Sequence, residues 1–379
     1  MKTIGLFFTS FLFILTISAQ EKQKQVSFDA KFRKAHQGKV KIEIHEVKEL
    51  LHIMIAITAS GLENDDMVAQ TGNYYKDILK DFDQFKREPI ILTFDSLMKA
   101  NPLNYIFLTG NALSYQFKGN KLKADKNYLF PAQSVSSHTT ITVNPITTYK
   151  KEIEQFAAKT KFRKFYKQHT GFYQQIIADY NNFANLQQQW DWLEKNFNTR
   201  VNNYTIMCSP LINGLNYTTS YTDNDFKQIM MVLPPIEKST TLTDKQNQVF
   251  NTRIMFTEID HNYVSAPTKA YKEQINIALQ NRSKWIDTTK EGTEYYPNPS
   301  RVFDEYMTFT TFYLFCYDTF AGDSTTIKYA YDDINAVLKI RGFMKVQAFN
   351  DELLRLKQNN PGKKVDELYP ELIEWCKQQ

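Results

Sequence analysis

The run at residues 303–320 constrains the fold of this chain more than any other stretch, because it is apolar nearly all the way round a helix. It reads FDEYMTFTTFYLFCYDTF, and a helix that is apolar on every side must lie inside the protein. At a step of about 100° per residue, Glu305 falls among Phe309 and Phe312. An unpaired buried charge is very costly. Glu305 therefore needs a metal ion, an arginine or a retained proton as its partner.

A second helix, predicted at residues 256–263, carries side chains that could supply or share such a partner. Its spacing places Thr257, Glu258 and His261 on one side and the apolar residues on the other. Side chains three residues apart on a helix are neighbours, with Cβ atoms roughly 5–6 Å apart. One metal ion or one water can therefore contact both Glu258 and His261. Pro267 is expected to end this helix.

The two segments resemble the active site of zinc peptidases of the gluzincin kind. In those enzymes one helix carries His-Glu-x-x-His, in which two histidines bind zinc and the glutamate is the base, and a second helix supplies a glutamate ligand. The resemblance implies that Glu258 is the general base and that His261 and Glu305 bind one Zn²⁺ ion. Tyr263 or Tyr306 could then stabilise an oxyanion, or simply pack in the core.

The sequence departs from that pattern at one position, because Thr257 stands where the first histidine ligand belongs. A hydroxyl is a poor zinc ligand, so another group must complete the site or the site has lost zinc. The candidates for the missing ligand are Asp260, His138 and His169. Alternatively Glu258 is itself a ligand, since di-metal helical bundles use Glu-x-x-His pairs. That arrangement leaves no evident general base.

The N-terminus predicts export. Residues 1–19 have a lysine at position 2, an apolar run and Ser18-Ala19 before Gln20, which is typical of a cleaved secretory signal. The run is too short for a membrane span, and no later stretch approaches the roughly 18 apolar residues that a span needs. We therefore expect a periplasmic or extracellular protein.

The predicted fold is α+β and predominantly helical, zincin-like, with a small antiparallel sheet before the site helix. Glycine and proline number only 12 each, which favours long helices with short connections. Alternation predicts strands at 39–44, 204–208, 216–221 and 228–233. The predicted order is a signal peptide at 1–19, a mobile leader at 20–37, a helical and hairpin subdomain at 38–147 and the zincin-like core at 148–379. One continuous domain over 38–379 is the alternative.

Composition limits the partners. The formal net charge of +5 is small for this length and gives no nucleic-acid footprint. The three cysteines exclude a disulfide framework and allow at most one bridge. We therefore expect no nucleic acid, and no membrane span from the apolar runs above. The resemblance to zinc peptidases implies a peptide or protein substrate.

The order of elements resembles the exported bacterial proteins grouped as domain of unknown function 4932, across most of the mature chain. The resemblance rests on Glu49-Leu50, Tyr74-Tyr75, Phe165-Tyr166, Tyr173, Cys208-Ser209-Pro210-Leu211, the run from Thr257 to Tyr263, and Asp304-Glu305-Tyr306. Some members carry a fuller His-Glu-x-x-His at this place, which implies a zincin-like origin. The family implies an architecture and no established activity.

Two functions follow as hypotheses. The first is an exported, metal-dependent, peptidase-like hydrolase. The second is a non-catalytic binding protein on the same scaffold, in which the site is vestigial and the sheet edge or an aromatic groove binds a peptide or a glycan.

Overall fold

The computed structural model describes residues 24–131, 134–136, 139–140 and 144–379. The predicted secretory signal, the first residues of the leader and His138 lie outside these ranges. Most residues in these ranges are helical and the strands there are few, which confirms the mainly helical α+β class. None of the helices in the described ranges has both the length and the apolar character needed to cross a membrane.

The helices and strands alternate irregularly along the chain. In chain order the helices are α1 Ala30–His36, α2 Glu46–Ala56, α3 Ala59–Glu63, α4 Gly72–Phe82, α5 Pro89–Ala100, α6 Asn104–Gly110, α7 Pro145–Thr148, α8 Lys150–Lys159, α9 Phe162–Gln168, α10 Thr170–Phe183, α11 Leu186–Asn196, α12 Asp244–Ile259, α13 His261–Ala270, α14 Lys272–Ala278, α15 Pro299–Thr319, α16 Ser324–Ile340, α17 Val346–Asn359 and α18 Tyr369–Lys377. The strands are β1 Lys39–Glu43, β2 Tyr115–Lys118, β3 Lys121–Ala124, β4 Ser134–Ser136, β5 Thr139–Thr140, β6 Asn203–Cys208, β7 Tyr217–Asp223 and β8 Phe226–Leu233.

The first compact unit contains the residues up to Ala178 and the segment Val201–Pro235. Its main sheet has the strand order β1-β6-β8-β7. β6 pairs in parallel with both β1 and β8, and only β7 runs antiparallel to its neighbour. The predicted antiparallel sheet is therefore wrong, because the sheet is mixed. Its strands come from both of the predicted subdomains, and the predicted domain boundaries stay a prediction.

The mixed order has a local cause and a non-local one. Asn224 and Asp225 both have positive φ, 48° and 61°, which is the backbone of a tight hairpin turn, and this turn joins β7 and β8 as antiparallel neighbours. The pairing of β1 with β6 depends instead on tertiary packing. That pairing adds a parallel edge strand that the sequence of β6 to β8 does not indicate.

The described part of the predicted mobile leader is ordered in the structure. Residues 24–37 contain α1, which begins where the Asp29 side chain accepts a hydrogen bond from Phe32 N. Phe28 and Phe32 are buried, and the ring of Phe28 packs edge-on against Phe226. The leader prediction missed this contact because its lysines and glutamines outnumber the two apolar anchors.

The second compact unit contains Asp179–Arg200 and Ile236–Gln379. Its central helix is α15, whose first turn is capped by Asn298 and has proline at its first position. Every residue of α15 from Val302 to Cys316 is buried, which confirms the buried helix predicted at 303–320. Helices α12, α13, α14, α16 and α17 pack around it.

Candidate functional site

The candidate site lies within the second unit, where the chain passes from α12 to α13. Asp260 ends α12 and begins α13, so Glu258 lies in the last turn of one helix and His261 at the start of the next. The backbone N–H groups of Tyr263 and Val264 both donate to Asp260 O, at 2.7 and 2.8 Å. The site segment is therefore two consecutive helices rather than one.

Pro267 does not end the site helix as predicted, because α13 continues through it to Ala270. A proline inside a helix removes one backbone hydrogen bond and displaces the carbonyl four residues before it. Here the helix break lies earlier, at Asp260. The predicted neighbourhood of Glu258 and His261 therefore depends on the geometry at Asp260, not on an unbroken helix.

The imidazole of His261 meets two acidic side chains of α15. His261 Nε2 lies 4.0 Å from Glu305 Oε2, and His261 Nδ1 lies 3.6 Å from Asp304 Oδ2. Nδ1 is also 3.3 Å from Thr308 Oγ1, and the Thr308 hydroxyl donates to Asp304 O at 3.0 Å. The predicted approach of His261 to the buried acid of α15 is therefore present.

The partner of Glu305 is an arginine. Arg341 Nη2 lies 2.8 Å from Glu305 Oε1, and the same guanidinium donates a short hydrogen bond to the Tyr296 hydroxyl. The guanidinium carbon lies 5.4 Å from the centre of the Phe309 ring, close enough for a cation–π contact. Of the three kinds of partner that the sequence allowed for Glu305, the structure contains the arginine.

Burial and neighbouring charges shift the acid–base properties of the cluster. Burial raises the pKa of Glu258 to about 7, against the opposing effect of the His261 charge. Burial alone would lower the pKa of His261, but contact with Asp304 and the charges of Glu305 and Asp260 raise that pKa to about 9. For Arg341, the charge of Glu305 outweighs the effect of burial and raises the pKa further.

Asp260 is perturbed mainly by burial. It is fully buried, and within the described residues neither of its carboxylate oxygens has a hydrogen-bond partner. Burial therefore raises the pKa of Asp260 well above its usual range, although the charge of His261 opposes this.

Thr257 does not take the place of the missing histidine ligand. Its hydroxyl donates to the backbone carbonyl of Arg253 at 2.9 Å, which is the usual back-bonding of a threonine to its own helix. Among the residues described, no group of three or more histidine, cysteine, aspartate or glutamate side chains could hold a metal ion. With Arg341 on Glu305 as well, the residues of this site do not fit zinc.

The remaining predicted residues have structural contacts. Tyr263 is fully buried and its ring packs against Phe197 at 5.9 Å between centres. The Tyr306 hydroxyl donates to Trp285 O at 2.7 Å and accepts from Lys345 N at 3.0 Å. These backbone contacts occupy the hydroxyl of Tyr306, so it is not placed to stabilise an oxyanion.

His169 belongs to the first unit. Its Nδ1 lies 3.0 Å from Phe165 O and its Nε2 lies 3.3 Å from Asp77 Oδ2. Both ring nitrogens therefore have local partners. His138, the other histidine considered as a ligand, lies outside the described residues.

Sequence reasoning named neither Arg341 nor Tyr296 and gave Asp304 no role at the site. Arg341 follows the last turn of α16 and has no motif around it. The only available signal was the requirement that Glu305 have a partner, which names no particular arginine. For Asp304, the position next to Glu305 was the signal, and its contact with His261 depends on how α13 packs on α15.

The resemblance to the gluzincin site and to domain of unknown function 4932 stays a prediction. No protein-family model, no curated protein and no solved structure matches this chain.

Proposed function

We propose that this protein is a metal-independent, non-catalytic binding protein, in which Arg341 provides the positive charge that a metal ion provides in a gluzincin site. The observation that carries the proposal is the 2.8 Å contact between Arg341 Nη2 and Glu305 Oε1. Glu305 is only 3% exposed, so it needs a permanent cationic partner. An arginine remains charged at any pH that the folded protein tolerates.

An arginine and a metal ion are not chemically equivalent in this place. A guanidinium neutralises charge and donates hydrogen bonds, but it has no empty orbital that could accept a lone pair from water or from a carbonyl. Such acceptance is what a catalytic metal contributes to hydrolysis. A site that contains Arg341 in place of a metal ion can stabilise the fold. It provides no activated water for Glu258 to deprotonate.

The position of Thr257 supports the same proposal. A zinc site of the gluzincin kind needs three protein ligands and an open position. Here the first ligand position is a threonine bonded to its own helix, and the third is paired with Arg341. Only His261 remains in place as a ligand. Because the sequence also predicts an export signal, we infer that the protein recognises a ligand outside the cytoplasm. The ligand would bind at a surface other than the site of His261 and Glu305.

The test is the metal content of the purified mature chain together with its action on a fluorogenic peptide library. We expect less than a tenth of an equivalent of zinc per chain and no hydrolysis above a heat-inactivated sample. Stoichiometric zinc with hydrolysis that is lost in Glu258→Gln, and kept in the exposed matched control Glu291→Gln, would overturn the proposal.

The metal-dependent hydrolase predicted from the sequence remains the second candidate. It is favoured by the 4.0 Å distance between His261 Nε2 and Glu305 Oε2. It is also favoured by the pKa of Glu258, which burial raises to about 7. This candidate requires Arg341 to leave Glu305. Calorimetric titration of the wild-type chain with zinc is the test, and zinc binding would favour this candidate.

A further inference from the structure

A groove in the second unit has the chemistry of a neutral, hydroxyl-rich ligand. It has a volume of about 400 Å³ and is lined by five carboxamide side chains, Asn181, Asn182, Asn185, Gln188 and Gln248. A volume of this size is within the range of small-ligand sites. Each carboxamide both donates and accepts hydrogen bonds, and a sugar hydroxyl does the same.

The contacts of Asn185 and Gln248 leave polar groups that a ligand can use. Asn185 Oδ1 accepts from the backbone of Gln188 at 3.1 Å, and Gln248 Nε2 donates to Asn182 O at 3.3 Å. In the part of the chain described by the structure, the amide nitrogen of Asn185 and the amide oxygen of Gln248 have no other partner. The groove therefore presents both donors and acceptors.

The groove carries no net charge. Its lysine and its aspartate, Lys245 and Asp323, form an ion pair with 2.6 Å between Nζ and Oδ2. Phosphates and acidic sugars gain affinity from an unpaired arginine or lysine, and the cation in this groove is already paired. A neutral ligand needs no unpaired cation, so the ion pair between Lys245 and Asp323 does not reduce its affinity.

The walls of the groove favour a sugar over an extended peptide. They come mostly from α10, α11, α12 and the C-terminal end of α15, together with Asn185 and the turn at residues 320–323, and a helix uses its own backbone groups internally. A bound peptide strand gains affinity by pairing its backbone with a free sheet edge, which these helices do not offer. Recognition here must come from side chains.

An aromatic ring completes the groove. Phe320 is partly exposed at its wall, and the flat face of such a ring packs against apolar C–H surface. A pyranose ring has C–H groups on one face and hydroxyls at its rim. Phe320 can therefore contact the face while Gln188 and Gln248 reach the rim.

We propose that this groove binds a neutral oligosaccharide. The proposal rests on the function proposed above, that of a binding protein, and names its class of ligand. The contact between Arg341 and Glu305 plays no part in it, so the two proposals can fail separately.

The test is isothermal titration of the mature chain with cellotetraose, mannotetraose and chitotetraose, and with an uncharged Gly/Ser/Asn decapeptide as the competing class. We expect saturable binding of at least one sugar. Gln188→Ala and Phe320→Ala should each weaken it roughly 3- to 10-fold, the effect of one lost contact of about 1 kcal/mol.

The chain offers a matched control next to the groove. Gln187 is an exposed amide on the same turn of α11, bonded to Asp191 at 2.8 Å, and it is not part of the groove lining. Gln187→Ala should leave sugar affinity unchanged. Melting curves establish that all variants are folded.

Three results would overturn the groove proposal. The first is that none of the sugars binds. The second is that the Gln188→Ala and Phe320→Ala variants bind sugar with the same affinity as the wild type, and the third is that the chain binds the decapeptide more tightly than any sugar. If the chain is also metal-free and inactive on peptides, the proposed binding function still stands. Stoichiometric zinc with Glu258-dependent hydrolysis would instead overturn that function, whatever the sugars do.

Discussion

Arg341 contacts Glu305 through Nη2 and Oε1 at 2.8 Å, on the apolar side of α15. The carboxylate is almost fully buried, while 28% of the arginine side chain reaches solvent. This arrangement lets the long arginine side chain carry charge inward from the surface. It also explains how an acidic residue is tolerated without a metal ion in the part of α15 where every residue is buried.

The first prediction concerns the stability of this ion pair. Arg341→Ala should lower the free energy of unfolding by about 3 kcal/mol, because removing one partner of a buried pair leaves an uncompensated charge. We expect the lower end of the usual range, since water can reach the arginine side of the pair. Urea denaturation followed by circular dichroism measures the change.

Arg355 supplies the matched control for that experiment. Arg355 Nη2 lies 2.7 Å from Glu352 Oε1, but 56% of the arginine side chain is exposed, so Arg355→Ala should cost less than about 1 kcal/mol. The combination of Arg341→Met with Glu305→Gln should recover most of the lost stability. A cost for Arg341→Ala no larger than that of the control would contradict the role of the pair.

The second prediction concerns acid sensitivity of the first unit. Helix α2 has a buried polar stripe formed by His45, Lys48, Glu49 and His52. Burial lowers the pKa of His45 to about 4 and the pKa of His52 well below its usual 6.5. As pH falls below 6.5, the unfolded chain takes up protons at both histidines while the folded chain does not.

The contribution of these two histidines to stability therefore falls with pH in that window, since the unfolded state binds more protons at both of them. The carboxyl groups of Glu49, Glu258 and Asp260, whose pKa values are raised in the folded chain, act in the opposite direction, so the share of one histidine is the difference in slope between the wild type and a variant that lacks it. Each histidine contributes a slope of about 1.4 kcal/mol per pH unit between 6.5 and its folded pKa. Unfolding free energies measured by urea titration from pH 7 to pH 4.5 give this slope. His52→Gln should reduce it by one histidine's share, and an unchanged slope would show that His52 is protonated in the folded state.

The third prediction concerns the thiols. Cys208, Cys316 and Cys376 are all free and buried, and burial raises the pKa of the Cys208 thiol to about 12. Because the thiolate is the reactive form, Ellman's reagent should label none of them in the folded chain and all three in 6 M guanidinium. Cys208→Ser should reduce the denatured count to two. A wild-type count of one would mean that two cysteines form a bridge.

Most of the secondary structure could be predicted from local sequence patterns. The spacing of apolar residues in 303–320 predicts a buried helix because burial on all sides is a property of that sequence alone. The alternation at residues 39–44 and the β-like run at residues 228–233 likewise predict strands. The pairing of β1 with β6 was not predictable from one sequence, because nothing in either strand specifies a partner so far along the chain.

The candidate site divides in the same way. The need of Glu305 for a partner, and the approach of His261, follow from the cost of burying charge. The identity of the partner does not, because Arg341 reaches Glu305 only through the packing of α16 on α15. The break at Asp260 was also unpredictable, since its backbone angles remain helical and no glycine or proline marks the position.

The last prediction restores what the site lacks. Thr257→His supplies the first ligand of the His-Glu-x-x-His pattern, and Arg341→Met removes the competing cation from Glu305. If the arginine is what excludes a metal, only the combined variant should bind zinc. At a free zinc concentration 100 times its dissociation constant, zinc should then raise the free energy of unfolding by about 2.7 kcal/mol.

The two single variants are the controls, and each should show no zinc-dependent change in urea midpoint. Thr257→His alone leaves Glu305 paired with Arg341, and Arg341→Met alone leaves His261 and Glu305 as only two ligands, too few for a closed zinc site. Zinc binding by Thr257→His as tight as that of the combined variant would show that Arg341 yields to a metal. Zinc would then be able to displace Arg341 from Glu305, and the wild-type chain would lack only a third ligand for a zinc site.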